Sequence, residues 1–433
     1  MTSSAGHRGE GATLVASGRA RAFAALQHRG FTTLLVCSAA AMMADSVEHV
    51  ISYWVMFQKF QSPALGGFAV IAHWLPFLVF SVPAGALGDR FGPRRLIQLG
   101  MLVFMGVSLT WAWLFVTNTI QLWHAAVLLV CHGLAGVLWA PLTQLLLHDV
   151  VGPNHLLSAV RLTATSRYLG QLLGPAIGSG LLLLLGPSYG LMVNALVYLP
   201  LVVWLWRAPY TSHVDAEHPT PARAITRVRD VLGTVRHAAG HRTILSMTLL
   251  GGGAAFFLGN AYQAQMPEFA RDFGHGDPGV TYSLLLAADA AGALVAGIGL
   301  ETVAWLAPAR RTALVLGLAW GASLAGFGLA THYGLALVLL GCAGFLELSY
   351  NSMAQALVQL EAPPASRGRM IGLYAMAASG MRTFSGVSVG LVGQAIGIHR
   401  SLALSGALVV TLCAALLYRG GGGVRSCVER GRT

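Results

Sequence analysis

Twelve stretches of this chain are apolar for long enough to cross the roughly 30 Å of hydrocarbon in a lipid bilayer. They run at about 31–57, 66–87, 96–116, 121–147, 158–185 and 188–206, then at 243–267, 279–304, 311–331, 333–359, 370–396 and 400–418. Charged residues make up only 10% of the 433 and hydrophobic ones 55%, which leaves too little polar surface for a soluble domain of this size. In hydrocarbon every backbone N–H and C=O must be satisfied within the protein, and a run of such segments does so as helices. The expected fold class is therefore an all-α membrane protein of twelve transmembrane helices.

One long polar segment, 207–242, separates six spans from six. This gives a bundle over 31–206, a cytoplasmic central loop over 207–242, a second bundle over 243–418, and cytoplasmic tails over 1–30 and 419–433. The halves resemble each other. GLAGVLWAPLTQLLL from Gly133 is matched by GCAGFLELSYNSMAQ from Gly341, and each is followed by a Pro-containing turn and a Gly-rich helix, with GPAIGSG at Gly174 aligning with GVSVGLVG at Gly386. Two pseudo-symmetric six-helix bundles form an architecture of secondary transporters, with the substrate near mid-membrane between the repeats.

The net charge of +11 would suggest nucleic acid in a soluble protein, but here the basic residues sit in short loops between apolar runs. If the N-terminus is cytoplasmic, that face collects four arginines in the N-terminal tail, Arg90, Arg94 and Arg95, six from Arg207 to Arg242, Arg310, Arg311, Arg367, Arg369 and four in the C-terminal tail. The opposite face holds Lys59, Arg271 and Arg400. This bias predicts a multi-pass protein of the inner cell membrane with both termini inside. The N-terminal tail lacks the apolar core of a signal peptide. The five cysteines show no CxxC spacing and four of them fall within apolar runs, so they read as packing residues, and neither a metal nor a cofactor is expected.

After the second span comes Gly85-Ala-Leu-Gly-Asp89-Arg90-Phe-Gly92-Pro-Arg94-Arg95, where glycines let two helices meet closely while an Asp and three Arg stay at the membrane face. It resembles the G-x-L-x-D-R-x-G-R-R/K signature of the major facilitator superfamily, with Pro93 at a usually basic position. In the fifth span Gly170-Gln-Leu-Leu-Gly174-Pro175-Ala-Ile-Gly178-Ser-Gly180 is similar to the family's G-x-x-x-G-P-x-x-G-G antiporter motif. Ala140-Pro141-Leu-Thr-Gln144, Met266-Pro267-Glu-Phe-Ala270-Arg271-Asp272 and Arg367-Gly368-Arg369-Met-Ile-Gly372-Leu-Tyr374 are similar to its enterobactin-exporter and macrolide-efflux branch. The resemblance implies a twelve-helix major facilitator fold, alternating access, and an Asp89 that pairs across to a neighbouring helix. Gly85, Asp89, Arg90, Gly92, Gly170, Gly174, Pro175 and Gly178 are the residues it implies for a conformational gate.

An ionisable side chain at mid-bilayer costs at least roughly 2.5 kcal/mol, so each one demands a partner, a wet cavity or a function. Asp45, Glu48 and His49 lie on the first helix, His73 on the second, His132 on the fourth, Arg167 on the fifth, Asp289 on the eighth, Glu347 on the tenth and Arg382 on the eleventh. Apart from Arg311 and Arg400 at the first positions of the ninth and twelfth, the third, sixth, ninth and twelfth spans carry no Asp, Glu, Lys or Arg, and these are the four that the resemblance makes outer supports. Asp45, Glu48 and His49 share a helix face by their i, i+3, i+4 spacing and are candidates for proton coupling, together with Asp289 and Glu347. Arg167 is the candidate charge partner of Asp45 or Glu48, and Arg382 that of Glu347. Asp289 has no evident local partner, and His132 and His73 read as hydrogen-bonded packing residues.

Tyr53, Trp139, Gln144, Asn260, Gln263, Tyr350, Asn351 and Gln355 supply aromatic and amide groups for a substrate cavity; Tyr262 is a further candidate, and Tyr53 and Tyr262 rank lowest because aromatics at helix ends are often interface anchors. The expected function is secondary active transport, namely proton-coupled efflux of a small amphipathic molecule such as a siderophore or drug, by a monomer. The alternatives are an importer or facilitator of a polar metabolite and, from another class, a membrane receptor or enzyme. No connecting loop on the outer face exceeds roughly a dozen residues, which leaves little room for an extramembrane catalytic or ligand-binding unit. No GxxxxGK[ST] occurs to support ATP-driven transport.

Overall fold

A computed structural model describes residues 23–60, 63–210, 228–259, 261–264, 266–273, 278–303, 308–385 and 392–429. The first half is built from α1 (Arg29–Phe60), α2 (Pro63–Phe91), α3 (Pro93–Val116), one long run α4 (Leu122–Val197) and α5 (Leu199–Arg207). The run α4 contains the fourth and fifth spans and the start of the sixth. It reverses at Gly152 (φ 68°, ψ 174°) and Gly186 (φ 74°, ψ 172°), a conformation open in practice only to glycine. Each of these glycines is followed by a proline, Pro153 and Pro187, whose fixed φ and missing N–H suit the first position of a new helix. Gly92 (φ 81°) and Pro93 repeat the device between α2 and α3, which accounts for a proline where the superfamily signature is usually basic.

The central segment contributes an amphipathic helix, α6 (Val228–Ala239), and residues 211–227 lie outside the described part. The second half continues with α7 (Arg242–Phe257), two short helices α8 (Ala261–Ala264) and α9 (Met266–Asp272), α10 (Pro278–Val303), α11 (Arg310–Gly328), α12 (Tyr333–Glu361) and α13 (Arg367–Ala378). A 3-10 turn (Gly380–Phe384), α14 (Val392–Ile396) and α15 (Ile398–Glu429) complete it. Among the described residues, seven helical runs are long and apolar enough to cross a membrane without interruption.

Two spans expected to be continuous are broken. The seventh, expected at 243–267, leaves helical geometry after Phe257, with Gly259 at φ 46°. The eleventh, expected at 370–396, ends its regular helix at Ala378. The sequence there, Ala-Ala-Ser-Gly-Met-Arg-Thr-Phe-Ser, is rich in small and hydroxyl residues that offer the backbone alternatives to the helix ladder. Non-helical backbone at membrane depth is tolerated where it is buried in protein or lines a cavity, and both breaks adjoin the central cavity described below.

Each half has its own buried core. Phe31, Phe104, Leu142 and Tyr198 belong to one cluster of the first half and Ile51, Trp111 and Leu129 to another, whereas Leu250, Phe269, Trp320, Phe327 and Val409 belong to the second half. The polar-bearing helix α1 is seated in a groove of the fifth span. A Cβ at Gly170 would meet Met42 Cβ at 3.1 Å, one at Gly178 would meet Val47 Cα at 3.2 Å, and Gly174 faces Ser46. Pro175 does not interrupt the helix there, so the motif acts here as a flat packing face. Gly174→Leu should therefore cost roughly 1–3 kcal/mol through overpacking, read as a lower unfolding temperature of the detergent-purified protein, while Gly180→Leu, at an open position, should leave it within error.

Candidate transport site

In the first half, the i, i+3, i+4 spacing on α1 brings Asp45, Glu48 and His49 toward α4, and the partner they find is His132. Its Nδ1 lies 2.8 Å from Glu48 Oε1 and its Nε2 lies 2.8 Å from Asp45 Oδ1. A carboxylate only accepts, so both ring nitrogens of His132 donate, and one imidazolium clasps two carboxylates. Glu48 also accepts from the Ser108 hydroxyl, which is itself reached by Asn194 Nδ2 at 3.4 Å. His49 Nδ1 donates to the Asp45 carbonyl at 2.8 Å, and its ring stands edge-on to those of His132 (4.7 Å) and His73 (5.1 Å).

The sequence pointed to Arg167 as the partner of these carboxylates. The ion pairs of Asp45 and Glu48 in the structure run to histidines instead. His132, read from the sequence as a packing residue, is the group that holds the cluster together. Its only sequence signal is its place on an inner span.

The second half matches its buried charges differently. Asp289 on α10 and Glu347 on α12 share one phenol: Tyr262 OH is 3.2 Å from Asp289 Oδ2 and 3.3 Å from Glu347 Oε2. Gln263 Nε2 donates to Asp289 Oδ2 at 3.1 Å, so the local partner that the sequence did not show for Asp289 comes from the broken seventh span. Tyr262, a weak cavity candidate from the sequence, is 1% exposed, so it is not an interface anchor. Gly344 packs on the backbone of Asp289 and permits this close approach of α10 and α12. Arg382 lies within electrostatic reach of Glu347, and its guanidinium carbon stands 5.2 Å from the ring centre of Trp74 in the opposite half.

Between the halves lies a cavity of about 450 Å³, lined by Gln144, Arg167, Tyr168, Gln171 and Pro175 from the first and Gln263, Asp289, Glu347, Asn351, Gln355 and Arg382 from the second. A second cavity of about 220 Å³ contains Asp45, His49, Tyr53, His73 and Trp139, and shares Arg167 and Gln171 with the first. Six of the eight residues expected to line a substrate cavity thus stand on one of these two walls. Tyr350 is buried behind, 5.2 Å from Trp320 by ring centres, and Asn260 lies outside the described residues.

One end of the central cavity is closed by five bridges between the halves. The Asp89 carboxylate accepts from the N–H groups of Gly368 (2.7 Å) and Arg369 (3.1 Å), capping the exposed first turn of α13, while Gly85 and Gly368 pack backbone to backbone. Gln359 Nε2 donates to Gln144 Oε1 at 2.9 Å, and Arg367 Nη1 donates to His148 Nδ1 at 3.3 Å. The Ser158 hydroxyl donates to Glu301 Oε2 at 2.6 Å, and Arg161 Nη1 donates to the Leu300 carbonyl at 2.9 Å. Glu301, at the end of the eighth span, was not singled out in the sequence. Of the other residues the resemblance implies for a gate, Arg90 is exposed and stacks on Phe91.

The transmembrane secretion effector family matches residues 20–420. The chain belongs to this family of major facilitator superfamily transporters. Comparison with curated proteins finds no match. The chain's fold is shared with the human organic anion transporter MFSD10 (TM-score 0.69, 14% identity, 89% of this chain and 99% of that one). It is shared also with the E. coli fucose:proton symporter FucP (0.66, 12%, 90% and 99%) and with the proton:xylose symporter XylE (0.70, 15%, 90% and 95%). The chain is thus a multi-pass secondary transporter with a major facilitator fold, not an enzyme.

Removing the shared partner from two buried carboxylates leaves them uncompensated. The His132→Ala protein should be destabilised by roughly 3–5 kcal/mol, and Asp45→Asn with Glu48→Gln should recover part of the loss. Thermal unfolding of the three proteins in detergent checks this. Equal unfolding temperatures for wild type and His132→Ala would refute the clasp.

Proposed function

We propose that the protein is a proton-coupled exporter of small amphipathic molecules, working by alternating access as a monomer in the inner cell membrane with both termini in the cytoplasm. The observation that carries the coupling is the Asp289–Tyr262–Glu347 arrangement on the wall of the central cavity. One hydroxyl cannot donate to two carboxylates at once, and a proton shared by the pair removes their like-charge repulsion. The charged and titratable groups facing the pair are Tyr262, Tyr168, Tyr350 and Arg382. Asp45 and Glu48, the sequence's first candidates, already have an imidazolium between them, so the shared proton is assigned to the second half.

Several features support outward transport of an amphipathic substrate. The family is one of secretion effectors, and the antiporter-like and enterobactin-exporter-like motifs point the same way. A cavity of about 450 Å³ suits a drug-sized or siderophore-like ligand, since such sites span roughly 300–1,000 Å³. Arg167 and Arg382 on its wall favour an anionic group, and the similar MFSD10 carries organic anions. The basic loops place the closed, Asp89-bearing end at the cytoplasmic face. A second reading, proton symport of a polar metabolite, is favoured by the likeness to FucP and XylE, both proton symporters of sugars.

Reconstituted vesicles carrying a pH gradient separate these readings. Anionic amphiphiles should move against the proton flux. Asp289→Asn or Glu347→Gln should lower gradient-driven transport at least tenfold while sparing counterflow exchange, which needs no net proton movement. Sugar uptake in the direction of the proton flux would favour symport, and undiminished gradient-driven transport in both variants would overturn the proton assignment.

A further inference from the structure

We infer that His49, His73 and His132 form a binding site for a divalent transition-metal ion, with Asp45 as an oxygen ligand. The three imidazoles come from three helices, α1, α2 and α4, and each offers a ring nitrogen such that all three lie within 4.8 Å of one another. Only the fold brings residues so distant in sequence together, and a bundle of three rings with centroids 4.7 to 5.7 Å apart cannot carry three positive charges. Neutral imidazoles at this spacing direct lone pairs at a common point.

The surroundings of the rings match what metal-ligating histidines require. Such a histidine presents one nitrogen to the ion and donates the other N–H to a carboxylate or backbone carbonyl, which fixes tautomer and ring orientation. His132 Nδ1 faces Glu48 Oε1 at 2.8 Å and His49 Nδ1 faces the Asp45 carbonyl at 2.8 Å. His49 therefore keeps Nε2 for the ion, and His132 offers Nε2 once the proton it shares with Asp45 Oδ1 leaves. Nδ1 of His73 is buried and has no hydrogen-bond partner among the described residues, a costly state for a polar atom that coordination would relieve. The cluster also borders the 220 Å³ cavity, which shares the wall residues Arg167 and Gln171 with the central one.

Three imidazoles and a carboxylate with no thiolate select zinc, cobalt(II) or nickel(II) over copper(I) or the alkaline-earth cations. Zinc–nitrogen bonds of roughly 2.0–2.1 Å require the rings to swing inward on binding. The ion takes the place of the proton between His132 Nε2 and Asp45 Oδ1, so that proton leaves as the metal enters and no oxidation state changes.

The test uses the purified full-length protein in detergent after chelator treatment. Calorimetry should show one zinc ion bound per chain, and cobalt(II) should develop visible ligand-field absorption that zinc abolishes. His73→Ala and His49→Ala should each weaken zinc binding at least tenfold and bleach the cobalt spectrum. His73→Ala tests the site even if His132→Ala fails to fold, because Nδ1 of His73 has no hydrogen-bond partner to lose among the described residues. Asp289→Asn should leave zinc binding unchanged, so the result stands apart from the proton assignment. Absence of stoichiometric binding would overturn the site, and so would binding that survives both histidine variants, which would point to surface pairs such as His28 with His155 or His237 with His241.

Discussion

The bond from the Asp89 carboxylate to the first turn of α13 is the contact on which the present arrangement of the molecule depends. It satisfies two N–H groups that no intrahelical carbonyl can reach, and it does so from the opposite half of the protein. Gly85 and Gly368 allow the approach, and the bridges at Gln144, His148, Ser158 and Arg161 close the same end around it. Everything above this seal is cavity wall. All of these contacts are polar and pairwise, so they can be exchanged for water one by one, unlike the interdigitated cores within each half.

The two halves solve the problem of buried charge in unlike ways, and the difference divides their roles. On the first half, one histidine balances two carboxylates, and two further histidines stand beside them without competing for the same oxygens. On the second, two carboxylates meet over a tyrosine with an arginine nearby. A histidine cluster offers nitrogen ligands, whereas a carboxylate pair offers a place for one proton. Both border a common space through Arg167 and Gln171, so a ligand there is within the electrostatic reach of each.

Much of the fold was legible because hydrocarbon is a strict solvent. Length and apolar continuity mark the spans, and the third, sixth, ninth and twelfth, which the resemblance makes outer supports, have interiors free of Asp, Glu, Lys and Arg. The breaks after Phe257 and Ala378 were not legible, since Gly, Ala and Ser are equally compatible with a tightly packed helix and with an interrupted one. Partners were the least legible layer. His132 meets Glu48 and Asp45 across 84 and 87 residues, and nothing in periodicity selects it over Arg167. Tyr262 ranked low because a tyrosine near the end of an apolar run is usually an interface anchor, and its place between Asp289 and Glu347 shows only once the fold is formed. Glu301 went unnoticed because a carboxylate at a span end needs no partner until the fold brings Ser158 and Arg161 to it.

The central claim is that the two halves rock about the cavity and that the seal at Asp89 holds one extreme. Pulsed electron-paramagnetic distance measurements test it most directly, with spin labels on exposed residues of both halves at each end: Arg95 with Ala365 at the sealed end, and Thr117 with His332 at the other. The account predicts that Asp89→Asn lengthens the Arg95–Ala365 distance and shortens the Thr117–His332 distance in the same sample. Distances that both stay fixed, or that change in the same direction, would contradict it.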